Sequence, residues 1–171
     1  RNVSIGEGMP KICVPIVGKT KEEILHVAKG IPESATDLVE WRADWFEDVF
    51  EIEAVENVLK EPRMILKEKP LLFTFRTKEE GGEKTISTRQ YITLNQAVIR
   101  TRAVDLIDLE VFSQPDAVGN LIAIAREQGV KVIGSNHDFA KTPAKDEIIR
   151  RLCHMQTVGV DIAKIAVMPQ K

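Results

Sequence analysis

The chemistry is most legible at a lysine set within an apolar stretch, Asp161-Ile162-Ala163-Lys164-Ile165-Ala166-Val167-Met168. If the stretch is a strand, side chains alternate and Lys164 shares its face with Ile162 and Ala166. An apolar setting disfavours an ammonium and favours the free amine that attacks a carbonyl carbon. The bland alternative is a lysine that snorkels to solvent or pairs with an inward carboxylate such as Glu110. His137 closes the run Gly134-Ser135-Asn136-His137. Near a Schiff base it could take a proton from the adjacent carbon and later return one to a leaving hydroxyl. A lone strand-end histidine is more often structural, but Lys164 as its neighbour favours the chemical role.

Glu40, Arg42 and Arg76 are candidate recognition groups. A buried ion pair would account for the first two. All three at one place suit a polyhydroxylated, anionic small molecule, with arginine supplying forked donors. After Arg76 comes Thr77-Lys78-Glu79-Glu80-Gly81-Gly82-Glu83-Lys84. Its glycine pair would let this loop fold inward and place Glu80 beside His137, orienting the ring. Asp108 and Glu110 read as a charge network under the site, His26 and His154 as surface or packing residues, and Trp41, Trp45 and Phe46 as core.

These residues need elements to position them. Short apolar runs predict strands at 12–17, 37–42, 71–76, 105–110, 130–137 and 161–168, with helices between them, for example 20–29, 88–100, 117–128 and 144–156. In the last helix Ile148, Ile149, Leu152 and Cys153 share one face. Gly30, Gly129 and Gly159 each close a helix. No linker interrupts the pattern, so residues 1–171 read as a single βα domain. The inward strand faces are then Leu38-Glu40-Arg42, Leu72-Thr74-Arg76, Leu106-Asp108-Glu110, Ile133-Ser135-His137 and Ile162-Lys164-Ala166: apolar first, mostly polar toward the C-terminal end. An open sheet covered on both faces would bury that charge at large cost. A barrel gathers it at the mouth where such folds do their chemistry. A complete eight-unit barrel needs about 250 residues, so the expectation is an α/β (β/α)8 TIM barrel, incomplete, with about six units and strands 7 and 8 absent.

The 171 residues carry a formal net charge of -2, which gives no reason to expect nucleic acid or an anionic membrane as partner. Two cysteines point to free thiols in a reducing cytoplasm. There is no P-loop, no dinucleotide-binding glycine motif and no His/Cys ligand cluster, so nucleotide and zinc readings are weak.

Four separated motifs together resemble one family: Glu40-Trp41-Arg42-Ala43-Asp44; Phe73-Thr74-Phe75-Arg76 followed by Glu80-Gly81-Gly82-Glu83; His137-Asp138-Phe139 with Thr142-Pro143; and Asp161 through Pro169. The sequence is similar to type I 3-dehydroquinate dehydratase over essentially its whole length. The resemblance implies conversion of 3-dehydroquinate to 3-dehydroshikimate in the shikimate pathway, with Lys164 forming the imine at the C3 ketone. His137 would act as general acid and base and Glu80 would support it, while Glu40, Arg42 and Arg76 would line the substrate pocket. It implies no metal or organic cofactor, a cytoplasmic homodimer, and further substrate residues on the last two strands. Little turnover is therefore expected of this chain alone. A Schiff-base aldolase and a non-catalytic barrel fragment are the alternatives.

Overall fold

Strands and helices alternate along the whole chain. In order they are β1 (Cys13–Ile16), α1 (Lys21–Lys29), β2 (Leu38–Arg42), α2 (Ile52–Leu66), β3 (Leu71–Thr74), α3 (Thr88–Thr101), β4 (Leu106–Glu110), α4 (Pro115–Gln128), β5 (Lys131–Asp138), α5 (Lys145–Val158) and β6 (Ile162–Val167). The structure, a computed structural model, describes residues 3–31 and 35–169.

The six strands form one sheet in chain order, and each neighbouring pair is parallel. Parallel neighbours need a crossover, and right-handed crossovers repeated in one direction keep every helix on one side of the sheet. The sheet curls with its other side inward, giving six units of a TIM barrel.

Two apolar layers follow from strand alternation. The outward side chains Val39, Trp41, Phe73, Ile107, Leu109 and Val132 join the helices in the main core. The inward side chains Leu72, Leu106 and Ile133, with Ile162 against them, form a separate small cluster. That cluster is the floor on which the charged residues stand.

Local signals set the helix ends. The Thr20 hydroxyl accepts the Glu23 N–H at the start of α1, and Ser87 and Gln90 form a reciprocal capping box on α3. Gly129 and Gly159 end α4 and α5 in the left-handed region.

Three packing expectations are corrected. β3 ends at Thr74, and beyond it the Arg76 N–H turns to Asp44 Oδ1, 3.4 Å away. Trp45 is 36% exposed, whereas Trp41 and Phe46 are core. In α5, Ile149 and Cys153 are exposed and Met155 is the buried residue.

Candidate active site

The loop after β3 brings Glu80 inside. Lys78–Glu80 make a single 3-10 turn, Gly81 takes φ 85°, and the Gly82 N–H returns to the Thr77 carbonyl at 2.8 Å. A Cβ on Gly82 would lie 1.9 Å from the Arg76 carbonyl oxygen, so glycine is what permits this close return. Glu80 is buried as a result.

Its carboxylate is surrounded by donors. Oε2 accepts the His137 backbone N–H at 2.9 Å and lies 2.9 Å from ring Nδ1. Oε1 accepts the Asn136 amide at 3.4 Å and the Ser113 hydroxyl. A carboxylate is an acceptor only, which puts the ring proton on Nδ1 and leaves Nε2 free as a base. Arg76 Nη1 is 2.8 Å from the same Nδ1. With protons on both partners that approach is not a hydrogen bond, and Nη1 donates instead to Ser135 Oγ at 3.1 Å and Glu110 Oε1 at 3.3 Å.

Arg76 is the hub. Its buried guanidinium lies 3.3 Å from Asp108, 3.3 Å from Glu110 and 3.6 Å from Glu80. Lys164 joins the same network: Nζ is 3.3 Å from Asp108 Oδ2, with the lysine side chain 37% exposed. The carboxylate it meets is Asp108, not the Glu110 suggested as its partner. Glu110 is instead held by the Thr77 N–H at 2.8 Å and the Thr77 hydroxyl at 2.7 Å.

The two inward carboxylates of β4 do not share one electrostatic state. Burial pushes Glu110 up to about 7, helped by the nearby charge of Glu80, against the Thr77 and Arg76 contacts. Burial acts on Asp108 in the same sense, but Arg76, Lys164 and the Ser135 hydroxyl outweigh it and hold its carboxyl below the usual range. Two acids on one strand face are thereby separated by their neighbours.

Glu40 accepts the Thr74 hydroxyl at 2.6 Å. Arg42 does not close an ion pair with it, because its Nε and Nη2 grip the buried Asp44 at 2.9 and 3.0 Å. Asp44 also accepts the Glu83 N–H at 3.2 Å, so it ties β2 to the Glu80 loop. Asp44 stands in the Glu40-Trp41-Arg42-Ala43-Asp44 motif, and its position two residues after an inward arginine was the signal available. Ser113 and Asn136 carried no comparable signal.

The structure thus brings Glu80, His137 and Arg76 into contact and links Lys164 to them through Asp108. Glu40 and Arg42 stand on β2 with partners of their own. An open cavity of about 450 Å³ borders His137, Asn136 and Phe139. A second cavity, about 590 Å³, lies at the opposite, N-terminal ends of the strands, beside Leu106 and Ile162, away from this chemistry. Among the described residues no group of three or more His, Cys, Asp or Glu side chains is placed to hold a metal, and no helix is long and apolar enough to cross a membrane.

Parallel βα units in chain order, with a lysine–carboxylate pair and a histidine–carboxylate pair toward the C-terminal ends of the strands, define a βα-barrel protein with an enzyme-like mouth. The profile of the type I 3-dehydroquinase family matches residues 12–171, and the chain belongs to that family. A 3-dehydroquinate dehydratase of Clostridium botulinum is 53% identical over 170 residues, covering 99% of this chain and 67% of its own. The crystal structure of a type I 3-dehydroquinate dehydratase from Clostridium difficile, solved with covalently modified comenic acid, superposes with a TM-score of 0.97 at 52% identity. It covers 99% of this chain and 67% of that one. A Schiff-base-forming fructose-1,6-bisphosphate aldolase shares the fold, with a TM-score of 0.57 at 13% identity.

Proposed function

We propose that this chain carries the imine-forming and proton-transferring half of a 3-dehydroquinate dehydratase site. The observation that carries the reading is the Glu80–His137 pair at 2.9 Å on the strand next to Lys164, which itself sits on a buried carboxylate. Lys164 attacks the C3 ketone of 3-dehydroquinate and the carbonyl oxygen leaves as water, giving an iminium. His137, oriented by Glu80, takes the C2 proton at Nε2 while the iminium accepts the electron pair as an enamine. The enamine expels the C1 hydroxyl, which leaves as water with the proton held by His137. Water then releases 3-dehydroshikimate and the lysine.

Glu40, Arg42 and Arg76 are the substrate-binding groups of this proposal. Arg76 serves largely from below, since most of its donors face protein carboxylates. No metal or organic cofactor is required, because the lysine supplies the electrophile. The single-domain reading of residues 1–171, the homodimer and the cytoplasmic location belong to the same proposal, and two exposed free thiols suit a reducing compartment. The aldolase alternative is not favoured: that likeness is one of fold alone.

The test is mass spectrometry of the intact chain after borohydride reduction with 3-dehydroquinate. A gain equal to one reduced, dehydrated-at-C3 ligand is expected, and this readout does not require turnover. An unchanged mass on folded protein would contradict the reading.

A further inference from the structure

Asp108 is buried among groups that fix it from two sides. Oδ1 accepts the Ser135 hydroxyl, and Oδ2 faces Arg76 Nη2 at 3.3 Å and Lys164 Nζ at 3.3 Å. Neither Ser135 nor Arg76 reacts in the scheme above, so the acid is held still while Lys164, on the partly open side, is the partner free to move. We propose that Asp108 is a catalytic residue, the counter-charge that faces the Lys164 nitrogen in the free protein and stabilises its iminium once the ketone is joined. The inference rests on Lys164 being the imine-forming residue.

The charge balance supports it. Starting from the ammonium, one nitrogen proton passes to the carbonyl oxygen as the freed lone pair attacks the carbon, a second follows it, and water leaves as the remaining carbon–oxygen bond breaks and the carbon–nitrogen double bond forms. One positive charge stays on nitrogen before and after, and the same carboxylate answers both states. The iminium keeps a single N–H. Donated to Asp108 Oδ2, that bond also fixes the plane of the adduct, and with it the face that C2 turns to His137. The neutral enamine between the two iminium stages lacks this attraction, so its collapse by hydroxide loss is favoured.

The charged and titratable groups around the pair are Arg76 after β3, His137 on β5, Glu40 and Arg42 on β2, Cys13 on β1, Glu110 on β4 and Tyr91 on α3. Asn in place of Asp108 leaves all of them present. The experiment is borohydride trapping at saturating 3-dehydroquinate across rising pH, with the adduct quantified on the Lys164 peptide. Trapping falls on the alkaline side as the iminium loses its proton.

In D108N this fall-off moves to lower pH by about one unit or more, the usual effect of removing an opposite charge at contact distance. D108E retains the charge, and whatever its yield its fall-off stays close to that of the wild type. An unmoved fall-off in D108N overturns the inference, and so does a downward move in D108E as large as in D108N. Should D108N fail to fold by circular dichroism, D108E decides alone: a wild-type fall-off supports the counter-charge, a displaced one overturns it. Absence of any adduct on the wild-type chain contradicts the Schiff-base reading itself, whereas a wild-type adduct with no movement in D108N contradicts only the role of Asp108.

Discussion

One oxygen of Glu80 engages His137 twice: Oε2 accepts its backbone N–H at 2.9 Å and stands 2.9 Å from its ring Nδ1. Backbone and ring are thereby locked together, and the free ring nitrogen has one direction to face. Glu80→Gln keeps the shape but replaces an acceptor-only group with one that also donates, so the tautomer is no longer imposed. We expect proton abstraction to slow about 10- to 100-fold, a fraction of what general acid–base catalysis supplies, while imine formation persists. Deuterium uptake at C2 of the borohydride-trapped adduct measures the first, and the trapped amount measures the second. Equal uptake in E80Q and wild type would remove Glu80 from the proton transfer.

Gly82 is where the loop has no room. A Cβ there meets the Arg76 carbonyl oxygen at 1.9 Å and its carbon at 2.5 Å, both backbone atoms that cannot swing aside. Gly82→Ala should therefore cost about 1–3 kcal/mol of stability, as overpacking does, and draw Glu80 away from His137. Gly119, in α4 with nothing within 4 Å of a new Cβ, is the control. Gly119→Ala should stabilise by about 0.5–1 kcal/mol through helix propensity. Chemical denaturation of the two variants compares them; similar stabilities would mean the loop relaxes freely.

Glu110 gives a signed dependence on pH. Its folded value, about 7, lies above the ordinary 4.5. The folded state therefore holds a proton that the unfolded chain releases. The contribution is fully present below about 4.5 and is lost as pH rises to about 7. Asp108, shifted the other way, acts only below its ordinary 3.8, so the two windows do not overlap. Glu110→Gln should flatten the decline of stability across the Glu110 window, read by urea unfolding at several pH values. An unchanged slope would mean that Glu110 is ionised throughout.

The two apolar layers should respond differently to truncation. Leu109 lies in the continuous core between sheet and helices, whereas Leu106 lies in the small inner cluster and borders the cavity at the strand N-termini. A space that opens to solvent or can collapse costs less than a sealed one, so Leu106→Ala should lose about 2–3 kcal/mol and Leu109→Ala about 3–5 kcal/mol. Equilibrium unfolding gives both values, and the reverse order would contradict the layer assignment.

Much of this was readable from alternation alone. Leu72, Leu106 and Ile133 at the start of the inward faces, with charge following, announced both the curl of the sheet and the end at which the polar groups gather. The glycine pair at 81–82 announced the inward loop. The partners of the charged groups were less legible. Register sets Lys164 beside Ser135, and Ser135 beside Glu110, yet Lys164 reaches Asp108, because Thr77 already donates to both oxygens of Glu110. Which of two acids on one face meets a lysine depends on groups arriving from the loop after β3, and no strand pattern encodes that. Arg42, by contrast, finds its partner locally, pairing with Asp44 in the turn after its own strand. The apolar stripe of α5 was visible, but how much of it is covered depends on which neighbours the helix has.

The position of the covalent bond is the most direct test of the Lys164 mechanism. The chain is incubated with 3-dehydroquinate, reduced with borohydride, digested, and each lysine peptide is weighed. The prediction is a ligand-derived mass on the peptide holding Lys164, absent from Lys164→Met and undiminished in His137→Asn. A ligand mass on another lysine, or none on folded protein with saturating ligand, would contradict the assignment of Lys164 as the imine-forming residue.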